Sequence, residues 1–172
     1  MASAETEPVA DIEAAALIDA PPEDVFDFLS DLGNHWRVAD RFVEVLSLGA
    51  SDGAHADSGR VRVRGPLGLG RTATTRVAAA RAPRLIIGTA EMGESTRARV
   101  SWILAGRLGS TRVRLAAEIE NASSFDRLVL ALGGRWWLRR RFASTLDRLA
   151  REMGSHSRAR EPDRSALRSA HV

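Results

Sequence analysis

The sequence contains no cysteine, no lysine and no tyrosine among its 172 residues, and each absence excludes a kind of chemistry. Without cysteine, the chain cannot form a disulfide, a thiolate nucleophile or a cysteine-ligated metal site. Without lysine or tyrosine, almost no side chain titrates between histidine and arginine. All 25 basic residues are therefore arginines, and any catalytic proton transfer would have to use histidine, acidic residues or arginine-bound water.

The sequence also lacks an apolar run close to the roughly 20 residues that a transmembrane helix needs. Its first residues, "MASAETEP", are acidic and do not contain the apolar stretch of a signal peptide. The absence of cysteine is compatible with a reducing compartment. We therefore expect a soluble, cytoplasmic protein without a transmembrane segment.

Charge is distributed unevenly along the chain, although the net charge is only +3. Residues 1–57 contain 13 acidic residues and two arginines, whereas residues 58–172 contain nine acidic residues and 23 arginines. The two parts of the chain are expected to attract each other, and one surface is expected to be strongly positive.

The length and composition predict one domain between two loose ends. Residues 1–8 are short and polar, and residues 154–172 contain few large apolar side chains, so we expect a disordered N-terminus and a disordered arginine-rich tail. The single domain is expected to cover residues 9–153, which is long enough to bury a sizeable core.

The hydrophobic pattern predicts an α+β domain. "VADIEAAALIDA" is typical of a first strand, and "PPEDVFDFLSD" has the prolines and early acidic residues of a helix start. "GNHWRVADRF" predicts a second short helix or turn. The later segments alternate with a period of two and are joined by short turns, which predicts about seven antiparallel strands in all. The last segment predicts one long helix, bent at Gly133 and Gly134 and ending at Gly154.

This order of elements resembles the START-like, or helix-grip, superfamily, whose bacterial members include SRPBCC proteins labelled polyketide cyclase/dehydrase. The resemblance is carried by "LIDAPPEDVFDFLSDLGNHW" (17–36), by "GSTRVRL" (109–115) and by the long final helix. It covers residues 9–153 and implies a curved antiparallel sheet that grips the C-terminal helix. The superfamily includes lipid carriers, hormone receptors and aromatase/cyclases, so the resemblance implies a fold more than a function.

The resemblance also implies a cavity between the sheet and the final helix. A helical wheel drawn from Leu132 places Arg135, Trp136 and Arg139 on or near the apolar stripe that would face this cavity, and places Trp137 off it. The expected lining consists of Val61, Val63, Val100, Trp102, Leu104, Val113, Leu115 and Trp136.

Arginine on an inward stripe needs a compensating partner because its guanidinium cannot lose its charge. One interpretation is that Arg139, and secondarily Arg135, anchors the polar or anionic end of an otherwise apolar ligand. The other is that Arg139 pairs with an acidic residue of the N-terminal part, or that the bend turns it to the rim of the cavity.

A second group of arginines alternates with apolar residues along three predicted strands, so these arginines share the outer face of the sheet. One interpretation is a solvated face whose arginines pair with Glu91, Glu94, Glu118 and Glu120. The other is a docking surface for an acidic protein partner or anionic lipid headgroups. The arginines concerned are Arg60, Arg62, Arg64, Arg97, Arg99, Arg112 and Arg114.

His35 is the one histidine that the pattern places inside the fold, which makes it a weak catalytic candidate. No spacing of histidines and carboxylates suggests a metal site, and no motif suggests a hydrolase. "GPLGLG" (65–70) lacks the lysine and the strand-to-helix context of a phosphate loop and predicts a hairpin. We expect no metal and no cofactor.

Three functions follow from these features. The first is the binding of a small hydrophobic molecule, such as a lipid, isoprenoid or polyketide, in the cavity. The second, implied by the family label, is a cyclase or dehydratase (a lyase) that acts in the same cavity. The third is an adaptor that uses its arginines to dock to an acidic partner, a membrane or RNA. For RNA the pattern is unfavourable, because the aromatic residues are not interleaved with the exposed arginines.

Overall fold

The computed structural model describes residues 10–39, 42–49, 55–65, 68 and 70–168, with side chains described as far as residue 156. The predicted loose N-terminus, residues 1–8, lies outside the described residues. The elements in chain order are β1 (Ile12–Ile18), α1 (Pro22–Ser30), α2 (Leu32–Val38), β2 (Val43–Gly49), β3 (Ser58–Arg64), β4 (Gly70–Arg81), β5 (Leu85–Met92), β6 (Thr96–Arg107), β7 (Ser110–Asn121), α3 (Ser124–Val129), a wide turn (Leu130–Gly134) and α4 (Arg135–Arg168).

The seven strands form one antiparallel sheet in the order β1-β7-β6-β5-β4-β3-β2. Strands β2 to β7 follow one another as neighbours, and β1 completes the sheet by pairing with β7, with Ile12 opposite Ala117 and Ile18 opposite Thr111. Register shifts mark bulges in β2, β4 and β7, which bend strands. The predicted fold class is therefore confirmed, with two short helices after β1 and a long C-terminal helix.

The alternation in the strands places apolar side chains on the face of the sheet that is covered by helices. Val61, Ala73, Ile86 and Trp102 are buried on that face. The largest group of fully buried side chains lies at one end of the sheet, where α1 and the middle of α4 pack. Its members include Ile18, Val25, Leu29, Val38, Val113, Leu146 and Leu149. Helix α4 contacts mainly β1 among the strands.

The two short helices begin as the sequence predicts. Pro22 occupies the first turn of α1, followed by Glu23 and Asp24, whose charges favour a helix N-terminus. The side chain of Asp31 caps α2 by accepting a hydrogen bond from the backbone N–H of Gly33 at 2.7 Å. Because α2 starts two residues after α1 ends, its buried residues Leu32, His35 and Val38 are held close to the sheet.

The predicted bend in the C-terminal helix is present, and it separates α3 from α4. Leu132 leaves the helical conformation with ψ of 18°, and Gly133 has φ of +114°. A side chain at Gly133 would be strained at this φ whatever the space around it. Gly134 is needed for a different reason, since a Cβ there would lie 2.7 Å from the carbonyl oxygen of Val129.

The C-terminal helix does not end at Gly154, where the sequence predicts its end. Residues 154–168, predicted as part of a disordered tail, are helical, and residues 169–172 lie outside the described residues. A glycine ends a helix when its backbone turns left-handed, and Gly154 is not among the glycines with positive φ. No helix in the described part of the chain is long and apolar enough to cross a membrane.

Substituting the two helical glycines by alanine should have opposite effects. Gly133→Ala should lower the free energy of unfolding by about 1–3 kcal/mol because alanine is strained at a φ of +114°. Gly154→Ala should raise it by about 0.5–1 kcal/mol, because Ala is the better helix former and the added Cβ meets no atom within 4 Å. Urea unfolding monitored by circular dichroism measures both. A destabilising Gly154→Ala would show that the helix ends at this residue.

Candidate functional site

A cavity of about 320 Å³ lies between the sheet and the helices α2, α3 and α4. Most of its lining is apolar. The cavity is elongated along the strands. The pair Trp102–Ile86 lines one end of it, and the pair Thr96–Met92 lines the other. These two ends are six residues apart along β6, which corresponds to about 20 Å at roughly 3.4 Å per residue. The cavity is thus a trough along the strands, with α2 over the first end and α3 over the second.

Aromatic side chains close one side of this trough. The ring of Trp137 in α4 contacts the ring of Phe42 edge to face, with 5.6 Å between the centroids. The guanidinium of Arg141 lies 5.2 Å from the centroid of Trp137 and 5.6 Å from that of Phe42. Both rings line the cavity, so the contact between them joins α4 to the start of β2 along its rim.

Five of the residues predicted to line a cavity do line it: Val61, Val63, Val100, Trp102 and Leu115. Leu104 and Val113 do not. Leu104 and Val113 pair with each other two residues along the strands from the pair Trp102–Leu115. At that level the core fills the space between the sheet and the helices. The period of two identified the correct face of the sheet, but it could not show where along each strand the cavity ends.

The structure does not place the three predicted helix residues in the cavity. Trp136 and Arg139 are exposed, and Arg135 is exposed with its guanidinium 3.7 Å from the carboxylate of Asp11. An ideal helix repeats its orientation about every 18 residues, so Arg135 points in the same direction as Met153. The side of α4 that carries both residues faces the core at Met153. Near the start of α4, the same side faces the edge of β1.

The side of α4 that faces the cavity consists of other residues. Trp137, Leu138, Phe142 and Thr145 line it. Trp137 was predicted to lie off the inward stripe, yet it lines the cavity. The stripe that contains Leu146 and Leu149 faces the core, whereas the cavity at the start of α4 extends to the side of that stripe, towards Phe42.

Arg71, which the sequence pattern did not indicate, lies on the face of the sheet that lines the cavity. It lies on β4 in phase with Ala73 and Thr75, both buried, and it lines the cavity near its α3 end. The alternation of β4 contained this signal, since Arg71 precedes two inward positions by an even number of residues. The hairpin glycines before it obscured where the strand begins.

Arg71 forms part of a polar cluster that fixes α3 to the sheet. Its guanidinium pairs with the carboxylate of Asp126, which also accepts hydrogen bonds from the hydroxyls of Thr96 and Ser123. The hydroxyl of Ser123 also caps α3 by accepting from the backbone N–H of Asp126 at 3.1 Å. We call Arg71, Thr96, Ser123 and Asp126 the α3 clasp.

The clasp keeps Asp126 ionised. Burial alone would raise the pKa of this carboxyl, but the hydrogen bonds from Thr96 and Ser123 and the charge of Arg71 outweigh burial, so the pKa lies below its usual range. Asp126 has its acceptor capacity largely occupied. The guanidinium of Arg71 has five N–H donors. Asp126 accepts a hydrogen bond from one terminal nitrogen of Arg71, so the remaining donors are available to another oxygen.

His35 lies at the other end of the cavity. Its Nε2 is 2.6 Å from the carbonyl oxygen of Leu29, and its ring packs against Trp102 at 5.2 Å between centroids. Because a carbonyl can only accept, Nε2 carries the proton of the neutral ring, and Nδ1 is left as an acceptor. Burial lowers the pKa of His35 to about 4, although the hydrogen bond to Leu29 and the charge of Asp31 both act to raise it.

Most of the predicted outer-face arginines are paired. Arg62 and Arg64 approach Glu44 within 3.8 and 3.3 Å. Arg97 pairs with Glu91 at 2.7 Å, and Arg99 pairs with Glu120 at 2.8 Å and approaches Glu118 at 3.7 Å. Arg114 approaches Glu13 at 3.5 Å. Arg60 and Arg112 are exposed on the same face. This arrangement is the solvated, charge-paired face of the first interpretation, and it offers little unpaired charge to an acidic protein partner.

Among the residues that the structure describes, no group of three or more histidines and carboxylates could hold a metal ion. What the cavity offers chemically is an apolar wall, a neutral imidazole at one end and a guanidinium with spare donors at the other.

Comparisons with known proteins agree with this architecture. The chain is similar to the TTHA0849 protein of Thermus thermophilus, with a TM-score of 0.66 at 20% identity over 85% of this chain and 98% of that one. A conserved protein from Geobacillus kaustophilus is similar with a TM-score of 0.60 at 14% identity over 83% and 94%. At these identities, the likeness shows the fold alone.

DynU16, a protein of the dynemicin biosynthetic locus, is similar with a TM-score of 0.54 at 16% identity, over 84% of this chain and 47% of that one. A search of curated proteins finds no match. The family model described as polyketide cyclase / dehydrase and lipid transport matches residues 9–154. The helix-grip resemblance seen in the sequence is therefore confirmed, and the chain belongs to this polyketide cyclase / dehydrase and lipid transport family.

Proposed function

We propose that this protein binds an elongated, mostly apolar small molecule in the trough between the sheet and the helices. The observation that carries the proposal is the cavity itself, about 320 Å³ with mainly apolar walls, with His35 at one end and Arg71, Thr96 and Asp126 at the other. This volume lies within the range of about 300–1,000 Å³ that is typical of small-molecule sites. Each buried CH₂ group of a ligand contributes about 0.8 kcal/mol, so affinity should grow with the apolar length that the trough accepts.

The walls of the proposed site are the cavity-lining residues of the sheet and of α4. From the sheet these include Val61, Val63, Ala98, Val100, Trp102 and Leu115, and from α4 they include Trp137, Leu138 and Phe142. Arg135, Trp136 and Arg139, which the sequence pattern suggested, are outside the set because their side chains are exposed. Leu104 and Val113 support the site from the core.

Arg71 is the proposed partner for the polar end of the ligand. It is the cavity-lining arginine that already belongs to an ion pair, so its charge is partly compensated and an additional oxygen acceptor costs little desolvation. Its side chain is 37% exposed, which leaves its other donors reachable. A carboxylate or carbonyl oxygen at the α3 end of the trough would accept from these donors.

A cyclase or dehydratase acting in the same cavity is the second candidate, because His35 is a cavity-lining imidazole. A general base is most effective when its pKa lies near the working pH. The pKa of about 4 makes the ring a weak base and leaves very little imidazolium to act as an acid at neutral pH. The environment of His35 therefore suits hydrogen bonding to a ligand better than proton transfer, and this favours binding over catalysis.

Filling the trough should abolish ligand binding without unfolding the protein. Ala98→Phe on β6 places a ring in the middle of the cavity, whereas Ala105→Phe places it on the exposed outer face of the same strand. With the neutral apolar dye N-phenyl-1-naphthylamine as the probe, we expect Ala98→Phe to weaken binding by at least about tenfold, since the added ring takes the volume that the dye would occupy. Ala105→Phe should change the affinity less than about twofold.

Dye fluorescence titration measures the affinity, and thermal unfolding confirms that both variants are folded. If the dye binds a folded Ala98→Phe variant as tightly as the original protein, the trough is not the binding site. Native mass spectrometry of the purified protein then identifies which molecule, if any, occupies the cavity.

The role of Arg71 can be separated from that of the walls with two probes. Arg71→Gln should weaken binding of the sulfonate dye 8-anilinonaphthalene-1-sulfonate about tenfold, because a hydrogen bond to a charged group contributes about 1.5–3 kcal/mol. It should leave binding of neutral N-phenyl-1-naphthylamine nearly unchanged. Arg62→Gln, at an arginine of the outer face, is the matched control. Equal losses for both dyes would assign Arg71 a purely structural role through Asp126.

The protonation of His35 should make stability depend on pH. Above pH 6.5 the ring is neutral in both states and has no effect on the difference between them. As the pH falls from 6.5 towards 4, the unfolded chain binds a proton that the folded chain excludes, so the free energy of unfolding should fall by about 3 kcal/mol. Urea unfolding across this range measures the loss, and His35→Gln should remove this component. An identical pH dependence in both proteins would show that the folded imidazole titrates normally.

A further inference from the structure

Four large apolar side chains form an exposed row along α3 and the start of α4. Phe125 and Leu128 lie three residues apart in α3, Leu132 lies in the wide turn, and Trp136 lies in the first turn of α4. Leu132 is 78% exposed and Trp136 is 61% exposed. We call this row the apolar ridge. Leu128, Leu132 and Trp136 do not line the cavity, whereas Phe125, at the other end of the ridge, does.

The ridge is flanked by arginines that have few acidic neighbours. The stretch from Arg127 to Leu146 contains five arginines and no acidic residue. Arg127, Arg139 and Arg140 are exposed, and the guanidinium of Arg140 lies 4.9 Å from the centroid of Trp136. The neighbouring acid, Asp126, is already bound within the α3 clasp. This contrasts with the outer face of the sheet, where most arginines have glutamate partners.

The other side of the same segment covers the cavity. Phe125, Val129, Leu130 and Gly134 line the cavity, while Leu128, Leu132 and Trp136 are exposed and do not. The wide turn at Leu130–Gly134 lies between them, so the ridge is the outer surface of the cover over the α3 end of the trough. Whatever contacts the ridge is therefore close to the part of the cavity that contains Arg71.

We propose that the apolar ridge docks onto the surface of an anionic lipid bilayer. Exposed large apolar side chains with arginines on their flanks match the composition of segments that lie in the interface, with the apolar side chains among the acyl chains and the guanidinium groups at the phosphates. The proposal goes beyond small-molecule binding and does not depend on it.

Vesicle binding tests the proposal directly. The full-length protein should co-sediment with vesicles of equimolar phosphatidylcholine and phosphatidylglycerol at low salt, and at least about tenfold less with pure phosphatidylcholine, since arginines near an anionic surface contribute about 1 kcal/mol each. Added salt should weaken the binding. Absence of binding to the mixed vesicles, or equal binding to both, overturns the proposal.

Two double variants identify the surface. Leu132→Ser/Trp136→Ser should weaken binding to the mixed vesicles at least about tenfold through the loss of apolar insertion. Arg139→Gln/Arg140→Gln should have a similar effect through the loss of charge. The matched controls are Leu17→Ser/Leu108→Ser and Arg60→Gln/Arg112→Gln, which change exposed residues elsewhere and should bind like the original protein. If either ridge variant binds like the original protein, the docking surface is elsewhere.

Tryptophan fluorescence gives an independent readout. Trp136 is the most exposed of the four tryptophans, so lipids brominated on their acyl chains should quench emission, and Trp136→Phe should remove most of that quenching. N-phenyl-1-naphthylamine should bind the ridge variants as it binds the original protein, which separates this proposal from the proposed cavity function. Binding to RNA that excludes vesicle binding would assign the surface to a nucleic acid and overturn the proposal.

Discussion

The backbone turn at Gly133 determines which side chains of the C-terminal helices face the sheet. With a φ of +114°, it breaks the helical repeat, so the orientation of residues before the turn says nothing about those after it. Beyond the turn, α4 serves two purposes along its length. Its first turns cover the cavity with Trp137 and Leu138, and its later turns complete the core with Leu146 and Leu149. A straight helix could not combine α3 as a cover with α4 as a core helix in this way.

The cavity exists because the two ends of the sheet are stabilised differently. At the α2 end, apolar side chains of α1, α2 and α4 fill the space against Ile18 and Val113, and burial of apolar area provides the stabilisation. At the α3 end, the attachment is the clasp between Arg71, Asp126 and Thr96. Because charge-assisted hydrogen bonds hold α3 at its start, the apolar residues behind it do not have to pack tightly, and a trough remains between the two attachments.

The sheet could be predicted from the sequence because its signal is local. Each inward residue, such as Val61 or Val100, is separated from the next by two positions, and the short turns allow only antiparallel pairing. The α4 stripe that contains Leu146 and Leu149 does face the core, but the position of the cavity beside that stripe could not be predicted, because it depends on where α4 lies over the sheet and no local pattern encodes this. The partner of Arg71 could not be predicted from the sequence either, because Asp126 lies 55 residues further along the chain and only the folded structure brings the two together.

Ion pairs between distant parts of the chain determine which arginines remain unpaired. The sequence shows an acidic first part and an arginine-rich second part, and the fold brings them together: Glu13 approaches Arg114, Glu44 approaches Arg62 and Arg64, and Arg37 pairs with Glu152 at 2.6 Å. Surface pairs of this kind contribute only about 0–1 kcal/mol each, but they remove unpaired charge from the outer face of the sheet. The segment from Arg127 to Leu146 has no acidic residue of its own. Arg135 of this segment approaches Asp11 at 3.7 Å, whereas Arg127, Arg139 and Arg140 are exposed next to the apolar ridge, and this combination distinguishes the segment from the other arginine-rich surface.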